Sequence, residues 1–203
     1  MILALDTSGD ELLVALVEDG RLVAGAVHPG PRHQDRIMNV IADIAGERLG
    51  RIDAVAVARG PGSHTGLRVG LSAAAGIAFG RHLQIYPLSS LAVAAQRTSD
   101  GDGDGDGGVL ALVAAGRGRA YSQEFASEGA SRSPAGPRRL ETISELDASG
   151  ARVAAEPALL AQLSVGAEGE ARSGVEALVA AVNQAVSAKE VVNYDQLSGD
   201  YGD

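Results

Sequence analysis

The stretch Gly60-Pro61-Gly62-Ser63-His64-Thr65-Gly66-Leu67-Arg68-Val69-Gly70 decides how this chain folds. It follows a β-branched segment at 52–58 and leads into residues 67–79, whose apolar side chains recur at helical spacing. A glycine-rich turn between a strand and a helix exposes backbone N–H groups at the positive end of the helix dipole. Such a turn suits a phosphate, a carboxylate or a partner's carbonyl. The candidate loop residues are Gly60, Gly62, Ser63, His64 and Thr65.

This stretch matches neither of the two familiar phosphate-binding loops. It lacks the Gly-Lys-Ser/Thr ending of a P-loop and does not follow the GxGxxG pattern of a dinucleotide site. A tight turn whose glycines allow close packing is therefore the alternative interpretation.

Composition limits the classes of function. The chain has 203 residues, 45% of them hydrophobic, which allows one compact domain or two lobes. It contains no cysteine, which excludes disulfides, thiolate zinc sites and cysteine nucleophiles. A formal net charge of −9 argues against binding nucleic acid alone. The longest apolar run, 69–79, is shorter than the roughly 20 residues of a membrane helix, and no export leader is visible, so we expect a cytoplasmic protein.

The order of predicted elements indicates an α/β fold. Strands are predicted at 1–5, 11–17, 21–27, 52–58 and 83–87, and helices at 32–49, 67–79 and from Ser89 or Ser90 to Arg97. Alternating strands and helices predict a partly parallel sheet covered by helices.

A change of composition divides the chain. We predict a first lobe at 1–98, an acidic Gly/Asp linker at 99–108, a second lobe at 109–192 and a loose tail at 193–203. The linker imitates the start of a calcium loop, but its twelfth position is Ala111 instead of glutamate, which favours a linker. The second lobe has strands at 109–115 and 120–125 and a helix at 175–188. The spacings Thr142/Glu145 and Ser173/Glu176 fit capping boxes and predict helix starts.

Candidate chemistry is sparse. The four histidines are too widely spaced for a metal pair on one helix face, so we predict no metal site. Ser63 beside His64 lacks the GxSxG elbow of a hydrolase, and we assign no catalytic residue. Asp6, Thr7 and Ser8 follow the first strand, where a carboxylate could order hydrated Mg²⁺ while the hairpin backbone holds phosphates. The alternative is a plain turn stabilised by Asp and Ser side chains.

Three segments together resemble the TsaB (YeaZ) family: MILALDTS at 1–8, His33 where the family opens a helix, and residues 59–70. The resemblance is specific over residues 1–91. Residues 115–121 are similar to the family's Asp-Ala-Arg-x-Gly-Glu-Val-Tyr segment but lack its acid and its glutamate. The resemblance implies an actin-like ATPase (ribonuclease H-like) fold of two lobes with a reduced second lobe. It also implies that Asp6, Thr7 and Ser8 are a vestigial nucleotide loop.

The resemblance further implies a function. Members of this family are noncatalytic subunits in the synthesis of tRNA N6-threonylcarbamoyladenosine. They support a TsaD-like paralogue, which transfers threonylcarbamoyl from its adenylate to the adenosine next to the anticodon, and a TsaE-like ATPase joins them. We therefore expect contact with tRNA only through the complex and no tightly bound cofactor, with ATP and Mg²⁺ held at most at a shared interface. A peptidase homologue with proteolytic activity and an independent sugar-kinase-like ATPase remain the alternatives.

The partner surface is predicted on the helices that follow His33 and Gly66. Small residues make the second of these helices thin, so another helix could approach closely. The resemblance to the TsaB (YeaZ) family implies that the same helices would also mediate self-association as a homodimer. The alternative is that the small residues pack on the chain's own sheet. The candidate partner-binding residues are His33, Arg36, Ile37, Ile41, Gly66, Gly70 and Ala74.

Overall fold

Two β-sheets with helices between and around them make up the protein, and a computed structural model describes residues 1–30, 32–98, 108–128, 131–146, 148, 151–163 and 172–201. The strands are β1 (Ile2–Asp6), β2 (Glu11–Glu18), β3 (Arg21–Pro29), β4 (Ala54–Ala58), β5 (Gln84–Leu88), β6 (Val109–Gly116), β7 (Arg119–Glu128), β8 (Ser131–Pro134), β9 (Arg139–Thr142) and β10 (Arg152–Ala154). The helices are α1 (Ile37–Ala45), α2 (His64–Arg81), α3 (Ser90–Ala95), α4 (Pro157–Leu163) and α5 (Gly174–Ala188), with short 3₁₀ turns at His33–Asp35, Gly46–Arg51 and Ile143–Glu145.

The first sheet has the strand order β3-β2-β1-β4-β5. Strands β1, β4 and β5 are parallel, and β2 and β3 are antiparallel additions at one edge. The turn at Asp19 and Gly20 has positive φ at both residues, 50° and 73°. Such a turn matches the twist of paired strands. The structure thus confirms the predicted partly parallel sheet, and its first three strands are joined as antiparallel neighbours.

Successive side chains of β2 point to opposite faces of the sheet, and both faces are apolar. Leu12, Val14 and Leu16 belong to the core shared with α1 and α2. Leu13 and Ala15 point the other way and pack with residues of α5. Because helix α5 covers the first sheet, the predicted assignment of residues 109–192 to a second lobe is wrong for α5. The sheet needs a helix on that face, and α5 supplies it from the far end of the chain.

The second sheet has the order β10-β6-β7-β8, with β9 also paired to β7. Helix α3 packs on one of its faces, through Leu91 and Ala95 against Val113 and Phe125. Leu159 of α4 belongs to the core on the other side. The chain therefore forms two lobes, with α3 and α5 near their junction.

Two predicted helix starts have different outcomes. The Ser173/Glu176 capping box is confirmed, because the Glu176 carboxylate accepts the Ser173 N–H at 2.9 Å while Ser173 caps the helix in return. The Thr142/Glu145 capping box is not formed, because Thr142 makes no side-chain capping bond, and the helix that begins after it is a three-residue 3₁₀ turn. The predicted helix at 32–49 shortens to α1, because Gly46 adopts a φ of 47° and ends it.

The segment 193–201, which we call the C-terminal strap, is packed against both lobes, contrary to the predicted loose tail. Just before it, Val192 pairs with Ile85. Within it, Leu197 and Tyr201 pack against the first core, and the Asp200 N–H donates to the Arg59 carbonyl at 2.6 Å. The strap has one turn, at 194–196, and is otherwise held by a few separated contacts. It therefore lacks the apolar periodicity by which helices and strands are predicted.

Most of the predicted acidic linker, 99–107, lies outside the described residues, and so do the aspartates with calcium-loop spacing. None of the described helices is long and apolar enough to cross a membrane.

Candidate functional site

The glycine-rich loop contacts other parts of the chain and does not leave its backbone free for a ligand. The Ser63 N–H donates to the Ser8 carbonyl at 2.7 Å, and a Cβ on Gly62 would overlap that same carbonyl. Gly60 has a φ of 121°, and a Cβ added to it would likewise overlap the carbonyl of Asp200 in the strap. Of the five candidate loop residues only His64 and Thr65 are exposed. The close-packing interpretation therefore describes the glycines Gly60 and Gly62.

Asp6, Thr7 and Ser8 form a buried turn at the end of β1. The Ser8 N–H donates to Asp6 Oδ1 at 2.8 Å, and Thr7 Oγ1 donates to the Gly66 carbonyl of α2 at 2.7 Å. Burial raises the pKa of the Asp6 carboxyl, more than the bonds to Ser8 lower it. The candidate nucleotide-loop residues thus stabilise the turn itself and its contact with α2.

Glu156, which is not among the residues predicted from the sequence, completes this site from the second lobe. It lies between β10 and α4, and its carboxylate accepts the N–H of Asp10 at 2.8 Å and that of Glu11 at 3.4 Å. The carboxylate also lies so close to Gly9 that any Cβ there would overlap it. Burial raises the pKa of Glu156 to about 7. No local pattern marks this residue, because its partners are 145 and 146 positions away.

Two further side chains stabilise the first hairpin. Arg97, which follows α3, forms an ion pair with Glu11 at 2.6 Å, with only 8% and 14% of the two side chains exposed. His33 is buried, and its Nε2 lies 3.0 Å from the Gly9 carbonyl oxygen. Because a carbonyl oxygen only accepts, the Nε2–H of the ring donates this hydrogen bond. His33 was a candidate for binding a partner, but its ring is used inside the chain.

The cleft between the lobes at this point is nearly closed. Its volume is about 10 Å³, and its lining includes Asp6, Ser8, Arg97 and Glu156. Small-molecule sites are usually clefts of about 300 to 1,000 Å³. The Glu156 carboxylate also takes the backbone N–H groups that phosphate oxygens would need. The residues at this cleft therefore do not fit a nucleotide in this conformation. Among the described residues, no three His, Asp or Glu side chains converge as metal ligands would.

The predicted partner surface needs correction. Ile37, Ile41 and Ala74 are 3%, 2% and 0% exposed and belong to the core of the first lobe. Gly66 and Gly70 face Thr7, whose atoms a Cβ at either position would overlap. The apolar faces of both helices are used against the sheet, which is why these residues are apolar or small. Of the seven candidates only Arg36 is exposed.

The outward faces of α1 and α2 border a shallow groove of about 540 Å³. Met38 contributes an apolar side chain that is 55% exposed, and Ser72 is also exposed. The groove is lined by Gln34, Ile37, Met38, Thr65, Arg68, Val69, Ser72 and Ala73.

Comparison with known proteins identifies relatives. A family model described as TsaD, tRNA N6-adenosine threonylcarbamoyltransferase, matches residues 25–191. The tRNA threonylcarbamoyladenosine biosynthesis protein TsaB of Haemophilus influenzae is 42% identical over 98 residues, which cover 47% of this chain and 42% of that protein. The protein of the same name from Escherichia coli is 37% identical over 127 residues, covering 61% and 54%. The matches thus span about half the length of these curated relatives.

A solved structure extends the similarity over nearly the whole chain. YeaZ from Pseudomonas aeruginosa superimposes with a TM-score of 0.79 at 26% sequence identity, covering 98% of each chain. Together with the two sheets, this similarity and the TsaD model confirm the predicted α/β, actin-like ATPase fold. The chain therefore belongs to the family that the TsaD model describes and, within it, to the TsaB (YeaZ) group.

Proposed function

We propose that the protein is the noncatalytic subunit of the complex that makes N6-threonylcarbamoyladenosine in cytoplasmic tRNA. A TsaD-like partner transfers threonylcarbamoyl from its adenylate to the adenosine next to the anticodon, and a TsaE-like ATPase joins the pair. The H. influenzae and E. coli relatives are named as TsaB biosynthesis proteins, which supports this assignment. A net charge of −9 gives the chain little attraction for phosphates, so it reaches tRNA only through the complex.

The closed cleft is the observation that carries the noncatalytic role. A catalytic subunit of this fold needs a cleft that admits its substrate, and here about 10 Å³ remains beside Asp6 and Glu156. ATP and Mg²⁺ would then bind at an interface shared with the partner and not tightly to the isolated chain.

The groove between α1 and α2 is the surface that we assign to the TsaD-like partner, or to a second copy of this chain. Met38 offers an exposed apolar side chain, while Ser72 and Ala73 are small enough for another helix to approach closely. Arg68 adds a cation at the rim of the groove. This assignment keeps the helices predicted from the sequence but moves the contact to their outward faces.

Substitutions on those outward faces test the assignment. Met38→Asp and Ser72→Arg should each abolish binding to a TsaD-like protein, because they place a charge in the groove without entering the core. Binding is measured by isothermal titration calorimetry, and folding by circular dichroism. The matched control is Leu140→Asp on β9, whose side chain is 43% exposed on the second lobe. It should leave binding unchanged.

Reconstitution tests the noncatalytic role. The chain alone should neither modify tRNA nor cleave protein. Adding a TsaD-like protein, a TsaE-like ATPase, ATP and threonylcarbamoyl adenylate should restore modification. Transfer by the chain alone would contradict the proposal, and proteolysis by the chain alone would favour the peptidase alternative.

For the groove variants Met38→Asp and Ser72→Arg, normal binding of the TsaD-like protein by both would place the interface elsewhere.

A further inference from the structure

The hairpin between β1 and β2 directs backbone N–H groups at one oxyanion. Those of Asp10 and Glu11 both donate to the Glu156 carboxylate, at 2.8 Å and 3.4 Å. Glu156 belongs to the other lobe, so this contact also joins the lobes. We propose that the Glu156 carboxylate is an internal anion that occupies a phosphate-binding position of the first hairpin, so that lobe closure and the binding of a phosphate-bearing ligand exclude each other.

The geometry of the hairpin is that of an anion site. Successive backbone N–H groups in a turn form a concave cradle that accepts carboxylate or phosphate oxygens alike. Gly9 has no Cβ, and the carboxylate lies so close to it that a Cβ there would displace the carboxylate from its present position. A phosphate group is bulkier than a carboxylate. With about 10 Å³ left in the cleft, both groups cannot be present at once.

The charges that face Glu156 make its position sensitive to pH. Asp6 on β1 and Glu11 on β2 are acidic and oppose its ionisation, while Arg97 after α3 favours it. Arg97 is already paired with Glu11 at 2.6 Å, and His33 lies beyond Gly9 with its ring bonded to that carbonyl. With burial as the largest cause, the pKa of Glu156 rises to about 7. Above that pH the closed arrangement holds a desolvated charge, and an external phosphate should compete more easily.

The competition lies within the isolated chain, so it does not depend on the proposed role in a complex. The probes are inorganic phosphate and, separately, ATP with Mg²⁺, followed by the amide NMR shifts of Asp10 and Glu11. In Glu156→Ala these two amides should shift saturably with inorganic phosphate, with an affinity at least about tenfold tighter than in the unmodified chain. The control Glu145→Ala removes an exposed glutamate of the second lobe and should behave like the unmodified chain.

Each outcome decides the question. Equal phosphate affinity in the unmodified chain and in Glu156→Ala overturns the competition, and no saturable shift in Glu156→Ala overturns the phosphate assignment. A response to ATP without one to inorganic phosphate also overturns it, because the base and ribose would then carry the binding.

A second variant covers the case in which Glu156→Ala does not fold. Glu156→Gln keeps a carbonyl oxygen for the hairpin but cannot ionise. The Asp10 amide of the unmodified chain should titrate near pH 7, the pKa of Glu156, and this transition should disappear in Glu156→Gln. An Asp10 amide that does not titrate in the unmodified chain overturns the inference.

Discussion

At the scale of single residues, Glu156 links stability to pH. Its pKa in the folded protein is about 7, above the ordinary value of 4.5. The folded state therefore keeps a proton that the unfolded chain releases between these values. By linkage, the contribution of Glu156 to the free energy of unfolding is complete below about pH 4.5 and is lost as the pH rises through about 7. At about 1.4 kcal/mol per pKa unit, this loss is at most about 3.5 kcal/mol.

Glu156→Gln should remove most of that slope, because the amide does not ionise. The measurement is urea unfolding at about pH 5 and about pH 8, compared with the unmodified chain. Burial also raises the pKa of Asp6, so any contribution of Asp6 to the slope has the same sign. Glu145→Gln serves as the control and should keep the full slope. A slope that survives unchanged in Glu156→Gln would show that another group carries it.

At the scale of elements, α2 needs glycine only where it crosses β1. A Cβ at Gly66 would overlap the backbone carbonyl of Thr7, which cannot rotate away. Gly76 on the same helix is exposed and has open space around it. Two glycines of one helix thus differ in what an added methyl group would meet, and only the first is required by packing.

Gly66→Ala and Gly76→Ala should therefore change stability in opposite directions. Gly66→Ala should lower the free energy of unfolding by about 1 to 3 kcal/mol through overpacking. Gly76→Ala should raise it by up to about 1 kcal/mol, because alanine favours the helix. Both are measured by urea unfolding followed by circular dichroism. Equal effects of the two changes would contradict close packing of α2 on β1.

At the scale of the whole molecule, the C-terminal strap connects the two lobes. The Tyr201 ring lies 5.0 Å from the His64 ring of α2, centroid to centroid, and its carbonyl accepts the Tyr121 hydroxyl of the second lobe at 3.1 Å. Asp200 bonds to the Arg59 backbone of the first lobe and pairs with Arg138 of the second. The strap thereby covers the glycine-rich loop at Gly60.

Tyr201→Ala should loosen that loop. We expect faster amide hydrogen exchange at Gly62 and Ser63, because the ring no longer holds the strap over the start of α2. Tyr194→Ala is the matched control, since its ring packs on Phe79 at the other end of α2, with 5.0 Å between centroids. Unchanged exchange in Tyr201→Ala, or equal acceleration in both variants, would contradict a specific role for Tyr201.

The sequence by itself determined the strands of the first sheet and the family. The apolar run that forms β2 and the capping box at Ser173 each depend on neighbouring residues, so the sequence alone predicts them. The MILALDTS segment and residues 59–70 were enough to indicate the TsaB (YeaZ) group, and the structural similarity confirms it.

Only the tertiary structure decided which surfaces are used and what closes the cleft. Helical spacing marks Ile41 and Ala74 as apolar or small but does not say whether they face a sheet or a partner. Ile41 and Ala74 are only 2% and 0% exposed, so they belong to the chain's own core. Helix α5, the strap and Glu156 all contact residues that are distant from them in the sequence. The bond from Asp10 to Glu156 spans 146 residues, a separation that leaves no local pattern, and so the closed cleft follows only from the packing of the two lobes.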